Sequence, residues 1–192
     1  MTENLRLVLA LNIPVSASYN DGSIFIYTPT SEAMNGNTVT PRISSDEWNG
    51  YYYYNWYAAT GEKGSSSSMG DVDGSICPKG WKLPYNYTVN PNVSWGGLTN
   101  TYGVTVNGTN TNTDTGYLIL QASPLSIPIV GYYYNGKLIY GDTDASLWSS
   151  NGYDNKYAYY LYFISTRVHP QRWGDKSLAG MNVRCVASPV TE

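Results

Sequence analysis

The feature that most limits the fold of this chain is the near absence of helical periodicity. Nowhere does an apolar stripe persist over several turns, and 19 glycines and 10 prolines interrupt almost every stretch of the 192 residues. Because Gly and Pro are strong breakers of regular helix, this pattern excludes a helical bundle. The length is that of one ordinary domain. We therefore expect a single α+β domain, 1–192, that is mostly β-structure with long irregular loops.

Strand signals are clearer than helix signals. Residues 23–28 (SIFIYT) alternate in polarity, and Tyr157–Ile164 (YAYYLYFI) and 182–186 (NVRCV) are rich in strand-forming residues. Residues 129–134 and 137–140 flank Asn135-Gly136, which supplies the left-handed backbone of a type I′ turn, so we expect a hairpin there.

The remaining segments are predicted to form short helices and loops. The helical candidates are 45–48 and 113–122, the second with Asp114 placed to cap it. Stretches 65–74 and 87–115 are rich in Gly, Ser, Asn and Thr, which is typical of ordered functional loops. We also expect a loop over 165–181.

Tyrosine is the outlier of the composition, with 20 Tyr against 2 Phe. A core uses Phe as readily as Tyr, so this excess indicates rings at a boundary with water. Tyr together with Ser, Gly and Asn is typical of adaptable binding surfaces. Half-buried strands also use Tyr, which leaves an ordinary β-rich protein as the alternative interpretation.

Charge and hydropathy exclude two classes of protein. The net charge of −3 provides no concentrated positive field, so we expect no nucleic-acid partner. No apolar run approaches 18 residues, so we expect no membrane span. Residues 5–15 lack the basic start of a secretion signal and are interrupted by Asn12 and Pro14, and we interpret them as part of the fold.

No pattern points to catalysis, a cofactor or a metal. His169 is the only histidine and has no activated Ser or Cys pattern beside it. Residues 71–74 (DVDG) and 142–144 (DTD) resemble fragments of calcium loops, but neither continues to the distant Glu of a full loop. We predict a protein that is not an enzyme, with no catalytic residues, no cofactor and no metal site.

Cys77 and Cys185 leave two alternatives open. One is a disulfide that closes a long loop and contributes about 4 kcal/mol on the chain-entropy model. The other is a pair of buried thiols. Sequons at Asn86, Asn92 and Asn107 matter only in an exported protein.

Five motifs stand in a specific order along the chain: NWYAAT from Asn55, GSICPKGWKLP from Gly74, WSS from Trp148, AYYLYF from Ala158 and VRCV from Val183. This order resembles the Fibrobacter succinogenes major paralogous domain family, a branch of the C-type-lectin fold akin to the formylglycine-generating enzymes. The resemblance implies that both chain ends meet in a small antiparallel sheet below long loops. It also implies that Cys77 and Cys185 approach each other.

The resemblance carries further expectations. Residues 1–5 (MTENL) resemble a motif that the family carries inside its domain, which implies a chain that begins partway into a longer protein. A cell-surface or extracellular location is favoured. The calcium-sugar tripeptides EPN and QPD are absent, and both cysteines lie in framework motifs, which argues against calcium-dependent sugar binding and against the oxidase chemistry.

One branch of this fold comprises the variable proteins of diversity-generating retroelements, in which a C-terminal segment is mutated at adenines. The resemblance implies such a variable region at about 148–183. We expect its ligand-binding face to contain Tyr153, Asp154, Asn155, Tyr157, Tyr160, Tyr162, Arg167, His169, Arg172, Trp173 and Asp175. We expect the core to be held by Trp56, Trp81, Leu83, Trp148, Leu161 and Phe163. Period-two alternation assigns Tyr160 and Tyr162 to the binding face and Tyr159 to the core.

The predicted function is therefore non-enzymatic ligand binding by a diversified C-terminal surface on a lectin-type scaffold. Tyr and Trp would supply rigid contact area, and Arg would supply forked donors. The expected partner is an unknown protein or glycan ligand on another cell or virus. The alternative is an invariant cell-surface adhesin or structural domain of the same fold.

Overall fold

The computed structural model describes residues 26–27, 53–60, 70–71, 75, 77, 81–86, 94–104, 116–135 and 137–187. Its strands are β1 (Ile26–Tyr27), β2 (Tyr53–Tyr54), β3 (Gly70–Asp71), β4 (Trp81–Lys82), β5 (Tyr132–Tyr134), β6 (Lys137–Ile139), β7 (Ala145–Gly152), β8 (Tyr157–Ile164), β9 (Arg167–Asp175), β10 (Ala179–Gly180) and β11 (Val186–Ala187). Its helices are α1 (Trp56–Thr60), α2 (Trp95–Thr101) and α3 (Gly116–Gln121). The domain is mostly β with few, short helices, as the sequence predicted.

An antiparallel sheet of order β3-β7-β8-β9 lies at the centre of the described part. Both of its faces are covered, because successive residues of β8 belong to different cores. Ala158 and Tyr160 pack in a first core with Trp56 and Trp148. The other face meets a second core, whose members from β8 are Leu161 and Phe163. This double cover explains why every residue of β7 is buried.

Smaller sheets surround this centre. Strand β1 pairs with β2, β4 pairs with β11, and β5 lies between β10 and β6. Cys77 precedes β4 and Cys185 precedes β11, and the two cysteines form a disulfide with their Cα atoms 5.8 Å apart. The structure therefore decides between the two alternatives for the cysteines.

Several local predictions are confirmed. Strand β8 has the predicted bounds, and α3 lies within 113–122. Strands β5 and β6 form the predicted hairpin, with Tyr134 opposite Lys137. Asn135 has a φ of 49°, the left-handed conformation that the turn requires. Of 23–28, the structure describes a strand at 26–27.

The predicted core is also confirmed in the main. Trp56, Leu83 and Trp148 are buried in the first core, and Leu161 and Phe163 are buried in the second. Trp81 is partly buried and packs against the first core.

Three predictions about regular structure are wrong. The stretch 165–181 contains β9, a nine-residue strand. Stretch 182–186 is not a continuous strand, because Asn182 makes only an isolated bridge to Leu147 and the strand begins at Val186. Stretch 87–115 contains α2, whose N-cap Ser94 accepts a hydrogen bond from the backbone N–H of Gly97 at 2.9 Å.

A β-bulge explains why the sequence pattern does not predict strand β9. Tyr160 lies opposite Arg172 and Tyr162 lies opposite His169, so β9 carries one extra residue between these pairs. Pro170 and Gln171 occupy the bulge, and β9 is the outer strand of its sheet. Proline lacks an N–H and is accepted in a sheet at such edges and bulges. Because of the bulge, His169 and Arg172 share a face although they are three residues apart.

Some predictions fall on residues outside those the structure describes: the helix at 45–48, the stretch 5–15, the sequons at Asn92 and Asn107, and most of 71–74. Asn86 is described and is buried. Within the described ranges the longest helix has seven residues, and none is long and apolar enough to cross a membrane.

Candidate functional site

The eleven predicted site residues do not form one surface. Residues that face each other across an antiparallel pair point to the same side of the sheet. Tyr160 with Arg172, and Tyr162 with His169, therefore lie on the side of the first core. Tyr159 with Trp173 lies on the opposite side. The predicted face is thus divided between two surfaces.

A cavity of about 580 Å³ opens on the side of Tyr160 and Arg172. We call it the β8–β9 pocket. Residues from β5, from the connection between β6 and β7, and from β8, β9 and the turn between them line it: Tyr132, Tyr140, Thr143, Asp144, Tyr160, Tyr162, Ile164, Ser165 and Arg172. Three of the predicted site residues, Tyr160, Tyr162 and Arg172, are among them.

Arg172 is the exposed cation among the described residues that line this pocket. Its guanidinium carbon lies 4.6 Å from the centroid of the Tyr162 ring, which is cation–π geometry. Burial raises the pKa of the Tyr160 hydroxyl, and the charge of Arg172 opposes that shift. The contact with Tyr162 places this exposed guanidinium against the wall of the pocket.

Asp144 is the carboxyl group of the pocket and is only 5% exposed. The Thr143 hydroxyl donates to its Oδ1 at 2.8 Å, and the Tyr162 hydroxyl also acts to lower the pKa of the carboxyl group. Burial raises the pKa of Asp144, while these hydroxyls and the charges of Arg172 and Arg167 oppose that shift. The carboxyl group is therefore already engaged by protein donors.

Two tyrosines of the pocket and the neighbouring His169 are neutral at neutral pH. Burial raises the pKa of Tyr160 to about 12 and also raises the pKa of Tyr162, so both hydroxyls keep their protons. His169 has its ring centroid 6.1 Å from that of Tyr162. Burial, and then the charges of Arg172 and Arg167, lower the pKa of His169, so its imidazole is uncharged at pH 7.

The opposite side of the sheet carries an aromatic surface, defined by Tyr153, Tyr157, Tyr159 and Trp173. The Trp173 ring stacks on Tyr153 with centroids 6.0 Å apart and an interplanar angle of 11°. Tyr157 meets Trp173 edge-on at 4.7 Å, and Tyr159 meets Tyr153 edge-on at 5.3 Å. Trp173 is 52% exposed and Tyr153 is 46% exposed.

Two of the predicted site residues stabilise turns, because their side chains accept hydrogen bonds from the backbone. Asp154 Oδ1 accepts hydrogen bonds from the backbone N–H groups of Lys156 and Tyr157, both at 2.7 Å. Asp175 Oδ1 accepts from the N–H groups of Ser177 and Leu178, both at 2.9 Å. Short Asx side chains favour turns through such bonds. Asn155 is exposed in the first of these turns.

The division of β8 into core and surface positions is wrong in two places. Tyr160 is 6% exposed and packs edge-on against Trp148, with centroids 6.0 Å apart. Tyr159 is half-buried and belongs to the aromatic surface. Alternation along a strand separates core from solvent only where one face of the sheet is open. Here both faces are covered over part of β8.

Sequence reasoning missed the pocket residues on the β5–β6 side. The sequence predicts a hairpin that contains Tyr132, and residues 142–144 resemble a fragment of a calcium loop, but no local pattern joins them to β8. Gly131 makes the connection: its N–H donates to the Asp144 carbonyl at 2.7 Å, and its φ is 68°. A Cβ at this position would collide with the Ile139 carbonyl oxygen, so glycine is required.

Comparison with known proteins provides no relatives: no family model, curated protein or solved structure matches the chain. Among the residues that the structure describes, no group of three or more His, Cys, Asp or Glu side chains is placed to hold a metal ion.

Proposed function

We propose that this protein is a non-enzymatic ligand-binding protein of the C-type-lectin type, with the β8–β9 pocket as its binding site. One observation carries the proposal: Tyr160, Tyr162 and Arg172, expected on the binding face, line an open cavity in which rings and hydrogen-bonding groups converge. Concave sites of mixed aromatic and polar character are the usual form of a ligand-binding site.

A rigid scaffold behind the pocket supports the proposal of a diversified surface over about 148–183. The Trp148 indole donates to the Tyr54 carbonyl at 2.7 Å, and the Trp56 indole donates to the Ser149 carbonyl at 3.0 Å. These bonds tie β7 to β2 and α1 without using any of the exposed residues. Exposed positions on β9 are therefore free to vary at little cost in stability.

The lectin-type fold is supported by the mostly β architecture and by the pairing of β4 with β11 beside the disulfide. We further propose that the protein acts at the cell surface or outside the cell, with a protein or glycan on another cell or virus as its partner.

A fragment screen tests the binding site. Titration of the ¹⁵N-labelled chain with a small-molecule library should shift the amide resonances of Tyr160, Tyr162 and Arg172 for at least one compound. Tyr162→Ala should abolish that binding, whereas Trp173→Ala, on the opposite side of the sheet, should preserve it. Shifts confined to the aromatic surface, or no shifts, would overturn the proposal.

Sequencing of the surrounding DNA tests diversification separately. A reverse-transcriptase gene and a near-identical repeat that differs at adenines within codons 148–183 are expected. Without such a repeat, the protein is an invariant member of the same fold, and the proposal for the pocket is unaffected.

A further inference from the structure

The Arg172 side chain uses only part of its hydrogen-bonding capacity within the described structure. A guanidinium carries five N–H donors in one plane. Its guanidinium carbon lies over the Tyr162 ring, 4.6 Å from the ring centroid. Arg172 also lines the cavity, and its side chain is exposed. A donor group placed against an aromatic ring therefore lies beside the space where a ligand would sit.

The exposed charge among the described residues that line the pocket is that of Arg172. Asp144 is the carboxyl group among these lining residues, and it is 5% exposed and accepts a hydrogen bond from the Thr143 hydroxyl. A guanidinium that is exposed in a cavity attracts an anion.

The planar shape of the guanidinium and the aromatic walls of the pocket indicate which class of anion would fit. The guanidinium fork matches the two oxygens of a carboxylate in a planar, bidentate pair. A dianion such as a phosphate ester would bring a second negative charge toward Asp144. The other walls include the rings of Tyr132, Tyr140 and Tyr162, which suit a flat apolar body.

We propose that the β8–β9 pocket binds a monocarboxylate with a flat aromatic body, and that Arg172 holds its carboxylate. This inference rests on the proposed function, because it names the ligand class for the same pocket.

A matched pair of probes tests the proposal: indole-3-acetate and its neutral analogue indole-3-acetamide, titrated against the ¹⁵N-labelled chain. The acid should bind at least tenfold more tightly than the amide and should shift the Arg172 side-chain N–H resonance. Arg172→Gln should remove the preference for the acid, and Arg172→Lys should retain part of it, because an ammonium keeps the charge but not the fork.

Lys156→Gln is the control, because it removes the same charge from a residue that contacts the aromatic surface. It should keep the preference for the acid, and the melting temperatures of all variants should agree. Equal binding of acid and amide, or a preference that survives Arg172→Gln, overturns the carboxylate proposal while the pocket remains a binding site. Binding of neither probe also overturns it, and the fragment screen alone then decides the proposed function.

Discussion

Tyrosine has three distinct roles among the described residues, and each is set by the surroundings of the ring. Tyr53 and Tyr133 are buried and meet edge-on at 5.0 Å. Tyr160 and Tyr162 form the wall of the pocket. Tyr153 belongs to the aromatic surface on the other side of the sheet. The excess of tyrosine is therefore shared between the core, the pocket wall and the aromatic surface, which composition alone does not reveal.

Tyr160 should behave as a core residue and Arg172 as a surface residue. Tyr160→Ala removes a ring that is 6% exposed, so it should lower the free energy of unfolding by about 3–5 kcal/mol, similar to Leu161→Ala. Arg172→Ala should cost less than about 1 kcal/mol. Denaturant titration of the three variants measures this. Equal losses for Tyr160→Ala and Arg172→Ala would contradict the division.

Stability should fall at alkaline pH through Tyr160. Its pKa is raised to about 12 in the folded chain by burial, against about 10 when unfolded. The unfolded state then loses its proton first, so the stabilisation is complete below pH 10 and is lost as pH rises toward 12. This pH-dependent stabilisation amounts to about 2–3 kcal/mol. Tyr160→Phe should flatten the decline of the unfolding free energy between pH 9.5 and 11.5, whereas an unchanged slope would refute this role.

Lys176 should stabilise the fold although its side chain is fully buried. Its ammonium donates to the Asp154 carbonyl at 2.7 Å and lies 4.4 Å from the centroid of the Trp56 ring. Lys176→Met leaves that partly buried carbonyl without this donor and removes the cation–π contact, and it should cost about 1–3 kcal/mol. Lys156→Met, at an exposed neighbour, should leave the free energy of unfolding unchanged. Urea denaturation compares the two, and equal effects would argue against the proposed role of Lys176.

At the scale of the elements, local chemistry made some strands predictable and left others hidden. Strand β8 and the turn at Asn135 follow from side chains that favour one backbone conformation by themselves. Strand β9 was missed because Pro170 lies in a bulge, and a bulge depends on the partner strand. Strand β7 shows no alternation of buried and exposed residues, since both of its faces are covered.

The connection between β7 and β8 should depend on Asp154. Asp154→Ala removes the acceptor of two backbone N–H groups and should lower the free energy of unfolding by about 1–2 kcal/mol. Asp154→Asn keeps the Oδ1 acceptor and should retain most of the stability. Thermal unfolding distinguishes them. If both variants were equally destabilised, the charge of Asp154 and not its Oδ1 atom would be the important feature.

At the scale of the molecule, the mostly β character was predictable, but the composition of the site was only partly so. The resemblance of the C-terminal segment predicted Tyr160, Tyr162 and Arg172 as site residues. Tyr132, Tyr140, Thr143 and Asp144 join them through contacts between residues distant in sequence, which no local pattern encodes. The residues expected on a single face lie on two surfaces, because neighbouring residues of a strand point to opposite sides of the sheet.

The disulfide between Cys77 and Cys185 should be a major contributor to global stability. It links residues 108 positions apart, so on the chain-entropy model its removal costs about 3–5 kcal/mol. The variant with Cys77→Ala and Cys185→Ala should show this loss in guanidinium denaturation, and the reduced wild-type chain should match it. A loss below about 1 kcal/mol would show that the unfolded chain gains little freedom when the link is cut.

The alternation of β8 and β9 has a consequence for how this protein evolves. Arg172 and Trp173 are adjacent in the gene, yet one lines the pocket and the other lies on the aromatic surface across the sheet. Any process that rewrites a run of neighbouring codons therefore alters both surfaces in the same event. A change selected for its effect on one surface carries an unselected change on the other, so the two surfaces are genetically linked although no contact between them is needed.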